Sequence, residues 1–302
     1  MEKTWHRREI MKLLAVGGVT FASGLAACHT QRGALATAAS SADDDFFFLQ
    51  LSDTHWGYEG PANPLAQYTL RDTVRIINES ALKPRFVMFT GDLVQTTTDD
   101  GVRAQRMREF RDIVAALRVP SAHFIPGEHD AALDQAGSYR EHFGAPSYAF
   151  DQNGVHFIAL DNASDPTGGL GEAQLAWLRD DLARVDTKTK IVVFAHRPLF
   201  PLEPSWSWST PDGERALTLL SEHPSVTVFY GHVHQEHHHL TGAIQHHAAR
   251  SLVFPLPAAG AAAKREALPW QVGASDHGLG YRSVRAGGAD LMLQELSVLG
   301  GR

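Results

Sequence analysis

One cysteine in 302 residues excludes an internal disulfide framework, so the fold must be held by its core alone. A chain of this length can do so, because it buries most of its apolar surface. There is no basic stripe: 27 Lys and Arg stand against 34 Asp and Glu, for a formal net charge of −7 and a pI near 6.2. That balance argues against nucleic acid as a partner, whose affinity rests on neutralised phosphates. The apolar run over residues 13–27 falls short of the ~20 residues that cross a bilayer comfortably. No internal repeat and no second domain boundary is visible beyond residue 45. What the chain does have is histidine, 17 of them, the side chain that supplies neutral nitrogen ligands and proton transfer near neutral pH.

Residues 1–45 read as an address followed by a tether. His6-Arg7-Arg8-Glu9-Ile10-Met11-Lys12 precedes the apolar run and resembles a twin-arginine export signal. The run closes in Leu25-Ala26-Ala27-Cys28, which resembles a bacterial lipobox and would make Cys28 the lipidated first residue of the mature protein. The alternatives are a plain N-terminal anchor helix, or cleavage near Ala36-Thr37-Ala38-Ala39. The expected organisation is a signal peptide at 1–27, a flexible Ala/Ser-rich tether at 28–45 and one domain at 46–302. The expected location is the periplasm or cell envelope, with the membrane touched only through a lipid on Cys28.

From residue 46 onward, short apolar runs alternate with helical patterns. The runs lie at 46–51, 86–89, 122–126, 155–160, 191–195 and 226–230. Helices are predicted at 65–82, stopped by Pro84, at 102–117, at a stripe made by Leu175, Leu178, Leu182 and Val185, and at 214–220. Asn153-Gly154 between apolar runs predicts a hairpin. Further strand-like pieces lie at 237–240, 252–254 and 291–296. Alternating buried strands and helices indicate an α/β fold, in which ligands collect beyond the carboxyl ends of the strands.

Five of the runs end abruptly in chemistry. They deliver Ser52-Asp53-Thr54-His55, Thr90-Gly91-Asp92, Gly127-Glu128-His129-Asp130, His196-Arg197-Pro198 and Gly231-His232-Val233-His234. Taken singly, each is an ordinary turn, a cap or a packed histidine. Together, on adjacent strands, they gather the carboxylates of Asp53, Asp92 and Glu128 and five imidazoles into one volume. Three such anions repel, which would raise their pKa values unless cations neutralised them. Two divalent ions roughly 3.5–4 Å apart would do so. The nitrogen and oxygen donors, with no thiolate, suit Fe, Mn or Zn.

This set of motifs, from residue 46 to His234, resembles the calcineurin-like metallophosphoesterase superfamily. The resemblance implies a four-layer αββα sandwich. It also implies two divalent or mixed-valent transition-metal ions, one held by Asp53, His55, Asp92 and His234 and the other by Asp92, Glu128, His196 and His232, with Asp92 bridging. The reaction implied is hydrolysis of phosphomonoesters or phosphodiesters of small molecules by an activated hydroxide. His129 would protonate the leaving alkoxide or donate to a phosphoryl oxygen, oriented by Asp130. One position departs from the pattern: the family usually carries Asn where this chain has Glu128, whose added charge would weaken the ions as Lewis acids and repel phosphate. That departure motivates the alternative of a metal-binding lipoprotein without hydrolytic activity. The region beyond His239 carries no signature; His237-His238-His239 and His246-His247 read first as faces of two short strands, with outer-shell partners of the centre or an extra metal site as the alternatives.

Overall fold

The computed structural model describes residues 46–81, 83–270, 278–286 and 291–298. The expected signal peptide, tether and Cys28 lie outside the described residues. Strand β1 (Phe47–Leu51) is followed by helix α1 (Ala66–Glu79), β2 (Val87–Thr90), α2 (Asp100–Val114), β3 (Ala122–Ile125) and the one-turn α3 (Glu128–Ala131). Helix α4 (Gly137–Phe143), the hairpin β4 (Tyr148–Gln152) and β5 (Val155–Ala159), α5 (Gly171–Leu182) and β6 (Lys190–Phe194) come next. The chain continues through α6 (Gly213–Leu220), β7 (Val226–Tyr230), β8 (His237–Thr241), β9 (Ile244–Ala248), β10 (Gly280–Arg285) and β11 (Met292–Ser297).

These strands form two sheets, ordered β11-β10-β1-β2-β3 and β4-β5-β6-β7-β9-β8. Strands β1 to β3 are mutually parallel, as are β5, β6, β7 and β9, so their carboxyl ends share one edge of each sheet. The strands are apolar on both sides because each sheet has a helical and a sheet-facing side. Leu49, Leu51, Val87 and Phe89 pack outward on Leu70, Val74, Met107 and Phe110 of α1 and α2. Ile191, Val193, Val226 and Val228 pack outward on Leu175, Leu178, Ala216 and Leu220 of α5 and α6. The alternate residues Phe48, Phe86, Met88, Phe157, Phe194 and Phe229 fill the space between the sheets. The architecture is therefore a four-layer αββα sandwich.

The inter-sheet layer is held by aromatic packing. Phe48 stacks on Phe86 at 4.8 Å and meets Phe157, Phe194 and Phe229 edge-on at 5.7–5.8 Å. Each fully buried Phe contributes about 1.5–3 kcal/mol through burial, with edge contacts adding to it. Toward the carboxyl ends the layer turns polar. Gln50 Nε2 donates to the Tyr230 carbonyl at 3.0 Å, and Arg282 Nη2 donates to the Ala248 carbonyl at 2.7 Å. These two bonds cross from one sheet to the other and fix their relative position directly beneath the strand-end loops.

Several boundaries differ from expectation for local reasons. Helix α2 begins at Asp100 rather than Val102, because the Asp99 side chain caps it by accepting from the Val102 N–H at 2.9 Å. Asn153 (φ 50°) and Gly154 (φ 75°) both adopt the left-handed conformation of a type I′ hairpin turn. Residues 252–254 form no strand. The Leu252 N–H bonds to the Ser52 and Asp53 carbonyls, and the segment crosses the end of β1 as an irregular loop. Helix α4 and strand β10 have no counterpart among the predicted elements. Strand β10 pairs antiparallel with β1 and carries β11 beyond it, so the region without a signature completes the first sheet.

Candidate metal centre

The five strand-end loops meet at one end of the sandwich, three from the first sheet and two from the second. Two donor groups result: Asp53, His55, Asp92 and His234, and Asp92, Glu128, His196 and His232, with the donor atoms of each group within 4.8 Å of one another. Seven of these residues are candidate ligands, and only Asp92 belongs to both groups. His129 lies beside them, its ring 4.5 Å from that of His55 and nearly perpendicular to it.

Backbone strain concentrates here. Asp53 (φ 53°), His55 (φ 41°), Asp92 (φ 50°), His232 (φ 66°) and His234 (φ 53°) all adopt the left-handed conformation that non-glycine residues avoid. Such positions cost of order 1–3 kcal/mol each and persist only where the surroundings over-determine them. Loop-to-loop hydrogen bonds supply that constraint: Asp53 N–H to the Gly91 carbonyl at 3.1 Å, His55 N–H to the Asp92 carbonyl at 2.9 Å, and Gly231 N–H to the His196 carbonyl at 3.0 Å. The glycine before Glu128 is required by close approach, not by a left-handed backbone. A Cβ on Gly127 would overlap the Asp92 carboxylate and backbone nitrogen, so only glycine lets β3 come this close.

Each imidazole has one nitrogen committed away from the centre. His196 Nδ1 bonds to the Thr90 carbonyl and His234 Nδ1 to the Phe254 carbonyl, both at 2.7 Å. His232 Nε2 bonds to the Ser207 carbonyl at 3.1 Å, and His55 Nδ1 to Gln95 Oε1 at 3.0 Å. A carbonyl only accepts, so each of these nitrogens carries a proton, and in the neutral ring the other is a lone pair facing inward. The inward atoms are His55 Nε2, His196 Nε2, His234 Nε2 and His232 Nδ1.

Those lone pairs face carboxylate oxygens. Asp92 Oδ2 lies 3.4 Å from His55 Nε2 and 3.3 Å from His196 Nε2, while Asp92 Oδ1 accepts from the His129 N–H at 3.0 Å. Asp53 Oδ1 is 3.3 Å from His234 Nε2. Glu128 spans His196 and the remaining imidazole, Oε2 at 3.0 Å from His196 Nε2 and Oε1 at 3.1 Å from His232 Nδ1. Donors held ~2.1 Å from a common ion stand about 3.0–3.4 Å apart, the spacing found here. The buried Glu128 Oε2 and His196 Nε2 make no hydrogen bond despite their proximity. The donor set therefore fits two cations.

The ionisation pattern reverses the expectation that clustering raises the carboxylates. Burial and the Glu128 charge push Asp92 up, but His196 and His129 outweigh them and leave it below its ordinary value. Burial likewise raises Asp53 and Glu128, and the neighbouring His234, His232 and His196 bring both below theirs. Burial pulls His196 down, yet Asp92 and Glu128 lift it well above the ordinary histidine range. Burial and His129 hold His55 at about 3.

Asp130 is a correction. Its carboxylate does not reach His129 and instead accepts from three backbone N–H groups, Leu93 at 3.0 Å, Val94 at 2.9 Å and Gly127 at 2.9 Å. Burial, with the Asp92 charge behind it, raises this carboxyl to about 7. Asp130 is thus a staple between α3 and the segment after Asp92. The His129 ring is positioned by Thr96, whose N–H lies 3.4 Å from Nδ1, leaving Nε2 as the proton-bearing nitrogen. Trp56 and Trp208 pack the loops: Trp56 donates to Glu109 at 2.8 Å under Arg71, and Trp208 is wholly buried against Trp206.

Arg197 was not singled out by the sequence, where it is a lone cation after a candidate ligand. Its Nε lies 3.6 Å from Glu128 Oε2, with both side chains largely buried. The extra charge of Glu128 therefore has a guanidinium counter-ion inside the site.

Comparison with known proteins agrees with this geometry. A protein described as probable glycerophosphodiester phosphodiesterase GpdQ of Arcobacter nitrofigilis is 31% identical over 160 residues, 50% of this chain and 56% of that protein. The cyclic AMP phosphodiesterase CpdA of Escherichia coli K12 is 27% identical over 204 residues, 62% of this chain and 69% of that one. The chain spans about half the length of the former relative. In structure, a dimetal phosphatase from Danio rerio superposes with a TM-score of 0.57 at 15% identity, covering 85% of this chain and 99% of the other. The sequence profile of the calcineurin-like phosphoesterases matches residues 48–236, the span that carries every strand-end motif, and the chain belongs to that family.

Proposed function

We propose that this protein is a dinuclear metal-dependent phosphoric ester hydrolase that acts on small phosphodiesters. The observation that carries the reading is the pair of donor groups sharing the Asp92 carboxylate, with His129 against their edge. When bound, two cations supply positive charge for phosphoryl oxygens and lower the pKa of water toward ~7. The chain's own residues do the rest. His129, with Nδ1 facing the Thr96 N–H, holds a proton on Nε2 for the departing ester oxygen. Asp92 Oδ1 fixes the His129 backbone, so the proton donor and the shared ligand move as one unit. Arg197 offsets Glu128 and limits the repulsion an incoming anion meets.

The Glu128 charge favours diesters. A phosphodiester carries one negative charge at neutral pH, whereas a monoester carries ≈ 1.5–2, so an additional carboxylate penalises the monoester more. The names of the relatives, a glycerophosphodiester and a cyclic nucleotide phosphodiesterase, support the same class. Arg7-Arg8 and Cys28 support a place in the cell envelope, reached by the twin-arginine route and lipid-anchored at Cys28. Among the described residues no helix is long and apolar enough to cross a membrane. The test is steady-state hydrolysis of bis(p-nitrophenyl) phosphate and p-nitrophenyl phosphate by protein loaded with Zn, Mn or Fe. Higher kcat/KM on the diester is expected. Preference for the monoester would overturn the substrate class, and no hydrolysis of either by two-metal protein would leave the non-hydrolytic alternative.

A further inference from the structure

Five of the chain's histidines lie on one hairpin, β8–β9, outside the centre described above. Alternation splits them between its faces. His239 stacks on Phe200 at 3.8 Å, and His246 packs edge-on against the same ring at 4.9 Å. His238 and His247 occupy the opposite face, directly paired across the two strands. Their Nδ1 atoms point at each other, 2.7 Å apart.

The outer nitrogens decide what lies between them. His238 Nε2 is 3.1 Å from Glu236 Oε1, and His247 Nε2 is 3.3 Å from Gln245 Oε1. Both oxygens only accept, so both Nε2 atoms carry the proton. Each Nδ1 is then a lone pair aimed at the other, an arrangement that repels unless a positive charge bridges it. A ring nitrogen donated to a carboxylate or carbonyl, with its opposite nitrogen free, is also the usual posture of a metal-ligating histidine.

We infer that His238 and His247 form a cross-strand site for a further divalent transition cation, separate from the two-ion centre. Two imidazoles and no thiolate suit Zn²⁺, Ni²⁺ or Cu²⁺, with solvent completing the coordination. Nitrogens ~2.1 Å from one ion sit about 3.0–3.4 Å apart, so the rings open by a few tenths of an ångström. His238, with 39% of its side chain exposed, is free to make that adjustment. A proton bridging the two Nδ1 atoms is the competing occupant. Strand β8 starts three residues after His234 and forms the outer edge of the second sheet, so the ion would clip that edge strand to β9.

The experiment is isothermal titration of Zn²⁺ or Ni²⁺ into the full chain already holding two equivalents, read together with total metal content. Wild type should take up one further ion, and His238→Ala and His247→Ala should lose it while retaining two ions and full hydrolysis. Glu236→Gln should weaken the additional ion roughly 10–100-fold, as loss of an orienting carboxylate does. Because His238 is exposed, retained two-ion content and activity report a folded variant. Equal ion uptake by wild type and both alanine variants would overturn the inference and assign the bridge to a proton only.

Discussion

Replacing Asp92 with Ala should leave a protein that holds at most one ion and turns over phosphodiesters roughly 10³-fold more slowly, at the upper end of what loss of one electrostatic stabiliser costs. No other residue is common to both donor groups. Its Oδ2 stands 3.4 Å from His55 and 3.3 Å from His196, so its removal takes one donor from each side at once. It also frees the His129 backbone N–H that Oδ1 accepts, and with it the position of the proton donor. Metal content by elemental analysis and kcat/KM on a diester would be measured on the same preparation. Two retained ions with near-wild-type turnover would show that Asp92 does not couple the groups.

His129→Ala should behave in the opposite way. Both ions stay, because His129 belongs to neither donor group, while kcat falls by ~10²–10⁴, the usual contribution of a general acid. The loss should depend on the leaving group. p-Nitrophenolate departs without much help, whereas an alkoxide such as that of a glycerophosphodiester needs the proton. The ratio of rates on the alkyl and aryl diesters should therefore collapse in the variant. An equal loss on both would place His129 in phosphate binding instead of proton transfer.

The residue types at each strand end were legible because apolar runs broken by His, Asp and Gly have few other uses when five occur in order. The convergence was only partly legible. Apolar strands read as buried on both faces, but the pattern alone does not distinguish a helix from a second sheet as the covering layer. Asp53, His55 and Asp92 leave one sheet and His196, His232 and His234 the other. The left-handed backbone at five of the seven candidate ligands is only weakly marked, since Asp and His adopt it more often than most side chains yet far less often than glycine. The partner of Asp130 was misread for a related reason. Sequence adjacency suggested His129, whereas the one-turn helix α3 directs the carboxylate back to the amides of residues 93, 94 and 127.

The partners that orient the imidazoles are mostly backbone carbonyls, at Thr90, Ser207 and Phe254, and a carbonyl has no identity in sequence. Gln95 and Arg197 do, yet nothing about their spacing marks them until the loops are folded together. Strand β10 escaped notice because its inward position opposite Gln50 is an arginine, Arg282, buried only by virtue of its bonds to Ala248, Gln50 and Glu295. Glu128, which first looks like a defect in a metal site, faces two candidate imidazole ligands and has its charge partly offset by the Arg197 guanidinium.

The most direct test of the two-ion account is a titration of chelator-stripped protein with Zn²⁺ or Mn²⁺ while hydrolysis of bis(p-nitrophenyl) phosphate is recorded. Activity should be absent without metal and reach its plateau at two equivalents, unaffected by any ion taken up at His238 and His247. Full activity in the stripped protein or at one equivalent, or no activity at two, would contradict it.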